Sequence, residues 1–436
     1  EQWKQTGDPS LLEKIERYNE DDVRSTYLLR NWLLAIKPQE TSFYALSNQP
    51  EEALTAQGPT ELEERLESYR NKLLADLPAD EKLWDERARA NALVFQLLDF
   101  HRRADKPVWW DMFRRQGLDS GELLEDIDCL ADLRRTALKP TPYKRSYLYQ
   151  YSFPVQDTKM RNGSNGKVIE TLTDVNLHEL NLDDCLATFK ATEARKPPEY
   201  FDMGPGGPID SKIIRTALFR YADSIIDQAA GFSAIADFLL RRRPRVKGIA
   251  DGAPLIPRGL ESVETIMDVV RNLDDSVLFI QGPPGAGKTY TASHVILGLL
   301  RAGKKVGVSS NSHHAINNLL AAVETRADEA KFSFRGLKKS GQDDESAVLA
   351  GPCIQLESDK NKLLDKWQAG ATLIAGTAWL FSEPGLTSQL DYLFLDEAGQ
   401  VSVANLVAMG MAARNLVLMG DQMQLAQPVQ GQHPGH

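Results

Sequence analysis

The sequence predicts a multidomain chain whose second half is an α/β domain built on a parallel sheet, preceded by helices and a small β-barrel. Three observations carry this. From residue 261 onward, short apolar runs alternate with amphipathic helical patterns, which is how parallel strands joined by crossover helices read. A glycine-rich segment, Gly282–Thr289, sits between one such run and one such helix. Between Tyr147 and Val155 large apolar residues alternate, and a turn-rich stretch follows, the pattern of antiparallel β structure.

The elements follow in order. Residues 11–36 form one amphipathic helix, with Leu11, Leu12, Ile15, Tyr18, Val23, Tyr27, Leu28 and Leu33 at helical spacing, ended by Lys37-Pro38. After a polar loop, the pattern is helical from Thr60 to about Ala137, with breaks expected at Pro78, Pro107 and Gly117. Strands are expected from residue 140 to 202, with a hairpin turn at Asn162–Gly166. Ile213–Leu240 reads as a helix ending in the basic run Arg241–Lys247. In the α/β half, strands are expected at Val277–Gln281, Lys305–Ser309, Thr372–Gly376, Tyr392–Asp396 and Asn415–Met419. Helices are expected at Lys288–Leu300, His313–Val323 and Val401–Ala413. The resulting domains are 1–40, 41–139 (helical stalk or bundle), 140–208 (small β-barrel), 209–260 (helix and linker) and 261–436 (the α/β domain).

At 436 residues the chain has room for roughly two to four domains. A hydrophobic content of 42% with 26% charged residues is that of a globular protein, and no run of 18 apolar residues suggests a membrane span. Cys129, Cys185 and Cys353 form no CxxC pair, which argues against a disulfide framework or a zinc site and for a reducing cytoplasm. A net charge of −10 excludes a histone-like binder, so any contact with nucleic acid needs a local basic surface. Glu1-Gln2-Trp3-Lys4 has neither an initiating Met nor a signal pattern, and Gly431–His436 closes no unit; the chain reads as part of a longer protein.

Gly282, Pro283, Pro284, Gly285, Ala286, Gly287, Lys288 and Thr289 match G-x-x-x-x-G-K-[ST], a P-loop, placed between a buried strand and a helix. Glycines at 282, 285 and 287 allow backbone N–H groups to turn inward as an anion nest at a helix N-terminus, with Tyr290 next in line. Lys288 is the candidate for the β- and γ-phosphates of ATP, and the Thr289 hydroxyl for Mg²⁺. An apolar strand ends in Asp396-Glu397, followed by Gln400. Ligands of open α/β sheets sit at the carboxyl ends of strands, so Asp396 is a candidate metal partner and Glu397 the candidate to orient and deprotonate water. After the next strand, Asp421 is placed to support that network and Gln424 to touch the γ-phosphate. Together these imply an α/β P-loop NTPase fold.

The order P-loop, Asp-Glu-Ala-Gly-Gln (396–400), Gly-Asp-Gln-Met-Gln-Leu (420–425) resembles the first RecA-like lobe of superfamily 1B DNA/RNA helicases. Val306–His314 with Ala315–Asn318 resembles motif Ia, and Leu373–Leu380 resembles the strand and loop before the Asp-Glu motif. The resemblance implies ATP-dependent helicase or translocase activity on single-stranded nucleic acid, with DNA favoured over RNA, and Ser310, Asn311, His313 and Thr377 as backbone contacts. Ser309–Asn311 is equally compatible with a helix N-cap. In that family a small β-barrel and a stalk help to hold the strand, and the run Arg241–Lys247 is read either as part of that track or as a solvated helix end.

Upstream, Tyr18 and Asp22 stand at i, i+4, which resembles the last acidic motif of RNase-H-like exonucleases, where such an Asp binds a divalent metal. The whole arrangement resembles bacterial RecB-like nuclease–helicase fusions, with residues 1–40 as the tail of the nuclease domain. Phe100–Arg103 and Trp109–Phe113 are similar to that family's helical segment, where the aromatic pair is expected to pack. The implied cofactors are ATP and Mg²⁺, with a second divalent metal in the nuclease domain; DNA repair is the pathway the analogy suggests, and no oligomeric state is implied. The other nuclease carboxylates and the second RecA-like lobe with its arginine finger lie outside these residues, so weak turnover is expected of this chain alone. A nucleotide-dependent clamp that never unwinds is the alternative; a metabolic P-loop kinase is disfavoured by the two downstream motifs.

Overall fold

Period-two burial along Ser146–Ser152 and Asp174–Asn181 and period-3.6 burial along Val263–Arg271 and His313–Glu329 divide the chain into an antiparallel and a parallel half. The computed structural model describes residues 24–25, 27–32, 34–36, 60–75, 77–78, 80–229, 231–283, 285–341, 351–421, 423–424, 431 and 433. Two units are present, Glu1–Glu61 and Leu62–His436. In the first, every described residue between 24 and 36 is helical.

In the second unit, helices α1 (Glu61–Leu73), α2 (Glu86–Leu98), α3 (Phe100–Gln116) and α4 (Ser120–Glu125) lead into seven strands. These are β1 (Leu130–Arg135), β2 (Thr141–Tyr143), β3 (Ser146–Ser152), β4 (Asn165–Val168), β5 (Asp174–Asn181), β6 (Leu186–Ala191) and β7 (Tyr200–Pro205). Their order is β1-β7-β4-β5-β6-β3-β2, and β1 also pairs with β3. Six strands therefore close into a barrel, with β2 extending from β3. Tyr151, Phe189 and Phe201 meet edge to face at its centre, 5.2–5.3 Å apart.

Helices α5 (Lys212–Ile226), α6 (Ser233–Leu239) and α7 (Val263–Arg271) precede a second sheet. Its strands are β8 (Val277–Gln281), β9 (Val306–Ser309), β10 (Gly336–Lys339), β11 (Ile354–Glu357), β12 (Leu373–Ala375), β13 (Leu390–Leu395) and β14 (Ala413–Gly420). All pairings are parallel, in the order β11-β10-β12-β9-β13-β14-β8. Helices α8 (Lys288–Arg301) and α9 (His313–Glu329) join α7 in covering one face. Helices α10 (Lys360–Gln368), α11 (Ala378–Phe381) and α12 (Val403–Gly410) cover the other, and α1, α2, α5 and α6 pack into that same core. Both faces being buried explains why the second half of β13, Leu393–Leu395, is wholly apolar.

Several local expectations give way to physical detail. Leu130–Arg135 is a strand, not the end of a helical stretch: a bulge with Asp132 at φ 53° shifts the register, so Leu130 and Leu133 mimic helical spacing. The Asp202 carboxylate takes the Asp132 N–H at 2.6 Å. Pro107 lies inside α3 without ending it. The missing N–H costs a bond, but Arg102 forks onto Asp99 (2.6 and 2.9 Å) and steadies the first turn. The β4–β5 hairpin turns at residues 169–173, not at Asn162–Gly166, because β3 pairs with β6 and not with β4. Ile213–Leu240 is two helices, broken where Gly231 takes φ 139°. Strands β10 and β11 carry Lys338, Lys339, Gln355 and Glu357, too polar to read as strands from the sequence.

Helix α3 meets the barrel through Arg115, whose guanidinium binds Asp111, Asp126 (2.9 Å) and Asp128 (3.4 Å) and holds the Asp126 carboxyl below its usual range. Helix α3 meets the α/β core through His101, whose Nε2 lies 2.9 Å from Asn405 Oδ1 on α12. Burial pushes the His101 imidazole below its ordinary value, and the charges of Arg215 and His433 push the same way. A histidine held neutral in the folded chain takes a proton more readily when unfolded. Stability is therefore full above the unfolded value of about 6.5 and falls as pH drops through it. The urea midpoint should decline between about pH 7 and pH 5, and His101→Gln should flatten that part of the decline; an unchanged pH profile would contradict the assignment.

Candidate phosphate-binding site

The end of β8 delivers the glycine-rich loop. Gly282 N donates to Gly420 O at 3.1 Å, tying the loop to the end of β14, and Ala286 N donates to Pro283 O at 3.1 Å, closing the turn. Gly285 and Gly287 take φ 79° and 84°, where an L side chain costs roughly 1–2 kcal/mol. A Cβ at either position would meet nothing within 4 Å, so torsion rather than crowding selects glycine, and the cradle lies open. Helix α8 begins at Lys288 with its unpaired N–H groups and the positive end of its dipole at the loop. Lys288 Nζ donates to Gly282 O (2.5 Å) and Pro283 O (3.1 Å), which keeps the ammonium over the loop. Thr289 is half-buried on the first turn. Tyr290 is exposed and turned outward: its ring sits 4.3 Å from that of His294, with the Arg326 guanidinium 4.6 Å above it.

Asp396 follows the last residue of β13, 9% exposed. Its N–H donates to Ser309 O at 2.9 Å, and its Oδ1 accepts from Glu397 N at 3.0 Å. Burial pushes its carboxyl up; the Glu397 N–H pulls it back, the Glu397 charge raises it further, and the Lys288 ammonium lowers it. Lys288 and Asp396 are thus within electrostatic reach across the strand ends. Glu397 takes φ 54° and stands half-buried at the start of the turn Ala398–Gln400. Gln400 is half-buried, and its carbonyl accepts from Asn311 Nδ2. At the end of β14, Asp421 Oδ1 accepts from Met423 N at 2.9 Å, and its carbonyl accepts from Gln424 N at 3.3 Å. Gln424 itself is exposed. A Cβ on Gly420 would lie 3.3 Å from Gly399 N, so the turns after β13 and β14 touch.

The structure thus brings the P-loop, Lys288, Thr289, Asp396, Glu397, Gln400 and Asp421 to adjoining strand ends. The group expected to meet nucleic acid is divided. Ser310 is 1% exposed and faces inward, so its hydroxyl is not available to a strand; Ser309 is buried with it. Asn311 is exposed, while His313 and Thr377 are half-buried at the starts of α9 and α11. The cap of α9 is Ser312, whose Oγ accepts from Ala315 N at 3.0 Å, and not Ser309–Asn311. In the basic run, Arg245 is structural: its Nη1 donates to both carboxylate oxygens of Asp237 (2.5 and 2.6 Å), which also accepts from Ser276 Oγ at 2.6 Å, and its Nη2 donates to Asp275 O at 2.7 Å. Sequence reasoning missed this group, although a lone Asn415 inside the apolar run of β14 signals it: Asn415 Oδ1 accepts from Ser276 N at 3.1 Å. Asp22, Tyr18 and Pro284 lie outside the described residues. Among the described residues no cluster of three or more metal-ligating side chains occurs.

Residues 264–434 match a family model described as an AAA domain, and residues 1–34 match one described as the RNase_H superfamily. The chain is 30% identical over 154 residues to the DNA replication ATP-dependent helicase/nuclease JHS1 of Arabidopsis thaliana, covering 35% of this chain and 11% of that protein. It is 28% identical over 196 residues to the DNA replication ATP-dependent helicase/nuclease DNA2 of Saccharomyces cerevisiae, covering 42% of this chain and 12% of that protein. Thus the chain spans only about a tenth of the length of these relatives. Among solved structures it is similar to an arterivirus nonstructural protein 10 (helicase) in complex with DNA, at 12% identity and TM-score 0.31, covering 63% of this chain and 44% of that one. It is also similar to the UvsW helicase of bacteriophage T4, at 15% identity and TM-score 0.26, covering 42% and 58%.

A carboxyl raised by burial is ionised more readily in the unfolded chain, so its contribution to stability falls as pH rises from the unfolded value through the folded one. At neutral pH the Asp396 charge is then a net cost to the chain without ligand. Asp396→Asn should raise the thermal midpoint at neutral pH, as read by calorimetry without nucleotide; a lowered midpoint would show that the charge is stabilising.

Proposed function

We propose that residues 261–436 form the first RecA-like lobe of a superfamily 1B helicase or translocase, joined upstream to the tail of a RecB-like, RNase-H-like nuclease domain. The AAA and RNase_H matches and the relatives named helicase/nuclease support this coarse arrangement. The observation that carries the reading is the strand order β8-β14-β13, which delivers Lys288, Asp421 and Asp396 to one edge from three neighbouring strand ends. In the proposed division, 1–40 is the nuclease tail, 41–139 the stalk, 140–208 the barrel and 209–260 a helix and linker.

The residues present suit Mg-ATP. The open left-handed glycines and the N-terminus of α8 suit phosphate oxygens, Lys288 suits the β- and γ-phosphates, and Thr289 with Asp396 suits a magnesium ion that takes most of its ligands from phosphate and water. Bound Mg²⁺ would supply positive charge that offsets the charge of the phosphates. Glu397 orients the attacking water and takes its proton, Gln424 and Asp421 report on the γ-phosphate, and Gln400 carries that state to Asn311 through their shared hydrogen bond. In this reading Asn311, His313 and Thr377 face single-stranded DNA, and full turnover needs a second lobe with an arginine finger.

In the intact protein, ATP hydrolysis should rise on addition of single strands, and Glu397→Gln should lower it by about 10²–10⁴-fold while nucleotide still binds. Hydrolysis indifferent to both nucleic acid and Glu397 would overturn the reading; stimulation without strand displacement would favour a clamp.

A further inference from the structure

Ser309 and Ser310, at the end of β9, are 0% and 1% exposed, and neither hydroxyl has a hydrogen-bond partner among the described residues. A buried hydroxyl without a partner is costly, and two in succession beside the phosphate-binding loop call for a reason. Alternation along the strand separates them. Val306 and Val308 lie in the core under α8 and α9, whereas a Cβ on Gly307 would meet Leu390, Leu393 and Phe381 of the opposite core. Ser310 therefore belongs to the α8 face and Ser309 to the other.

Strand β13 carries the same alternation beside β9. Phe394 pairs with Val308 and shares its core, and Leu395 pairs with Ser309. The next rung joins Asp396 N to Ser309 O at 2.9 Å, which in a parallel ladder makes Asp396 and Ser310 lateral neighbours. One period beyond Phe394 and Val308, both side chains fall on the α8 face. In the same row Met419 on β14 and its partner Ile280 on β8 are apolar. The row thus holds one carboxylate and, beside it, one hydroxyl without a partner. Asp396 Oδ1 accepts from Glu397 N at 3.0 Å, and Oδ2 accepts from none of the described residues. Strands about 4.8 Å apart leave a serine hydroxyl one χ1 rotation from a neighbouring carboxylate.

We propose, resting on the reading of this edge as a nucleotide site, that Ser310 is a positioning residue: with magnesium nucleotide bound, its hydroxyl donates to Asp396 Oδ2. Hydrogen bonds of this kind are often unmade without ligand and tighten in the complex. The carboxylate is then held at both oxygens, by the Glu397 N–H and by Ser310, leaving its remaining lone pairs for the metal or its waters. Ser310 thereby acts through Asp396 inside the protein and not on a nucleic-acid strand. Small size alone does not explain a serine here, since alanine would fill the space without stranding a hydroxyl.

The test is equilibrium binding of a fluorescent ATP analogue to the 436-residue chain and its variants, measured once with Mg²⁺ and once with EDTA. The ratio of the two affinities is the metal's contribution. Ser310→Ala should lower that ratio by about 2- to 12-fold, the worth of one hydrogen bond, with the affinity in EDTA unchanged. Its thermal midpoint without ligand should stand at or above that of the parent chain, because the substitution removes a stranded hydroxyl. Ser310→Thr, which keeps the hydroxyl, should keep the ratio, and so should Ser309→Ala, the matching loss on the opposite face. A parent ratio that Ser310→Ala leaves intact would overturn the proposal while the nucleotide site stands. A midpoint clearly below the parent's would show a hydroxyl already bonded without ligand and would contradict it. Equal losses of the ratio in Ser310→Thr and Ser310→Ala, or in Ser309→Ala and Ser310→Ala, would trace the effect to packing and overturn it too. A parent chain that binds the analogue no better with Mg²⁺ than with EDTA would sink the nucleotide-site reading and the Ser310 role together.

Discussion

Strand β14 is hydrogen-bonded to β8 on one side, from Leu416↔Val277 to Gly420↔Gln281, and to β13 on the other, from Leu390↔Ala413 to Leu395↔Leu418. This pairing fixes the spacing between the P-loop and Asp396. Were β8 directly beside β13, the loop and the acid would be one strand closer and Asp421 would stand elsewhere. With β14 between them, the Gly282–Gly420 bond and the close approach of Gly420 to Gly399 lock three loops into one edge. Parallel strands place all their carboxyl ends on that edge, which is why residues far apart in sequence converge there.

The same three strands are pinned at their opposite ends. Asp237, 1% exposed on α6, binds Arg245 and Ser276; Ser276 N meets Asn415 on β14; and Asn415 Nδ2 donates to Asp391 O on β13 at 3.2 Å. A buried carboxylate with this many partners is satisfied, and removing any one of them would leave a charge or amide stranded. The linker, β8, β14 and β13 are therefore held in register from below while their upper ends carry the loops. The site accepts some local cost in return: a left-handed Glu397 and a buried Asp396 are both unfavourable in isolation, and the surrounding ladder holds them in place.

Much of the α/β half was legible in the sequence because the inner stretches of its buried parallel strands, such as Leu393–Leu395 and Leu416–Met419, are apolar. Val277–Gln281 reads as a strand to its last residue. Strands β10 and β11 were not legible because they carry Lys and Gln: β11 is an edge with one neighbour, and β10, paired on both sides, still holds a buried Lys338. The bulge at Asp132 hid β1 by turning a two-residue period into something near three. Pro107 misled because its cost is local, whereas the Arg102–Asp99 fork and the His101–Asn405 contact that outweigh it are set by side chains and by a helix 300 residues away. The positions in the candidate site follow from motif spacing, but exposure did not: burial removes Ser310 from any strand-facing surface, and Trp109 and Trp110, which composition suggests should pack, stand in the open.

The central claim is that the convergence of Lys288, Thr289 and Asp396 makes a nucleotide site. Equilibrium binding of a fluorescent ATP analogue with Mg²⁺ to this chain, beside Lys288→Ala, tests it most directly. The account predicts saturable binding by the parent chain that the substitution abolishes, with both proteins giving the same melting behaviour without nucleotide. Binding of equal strength by the two folded proteins, or none by a folded parent chain, would contradict it.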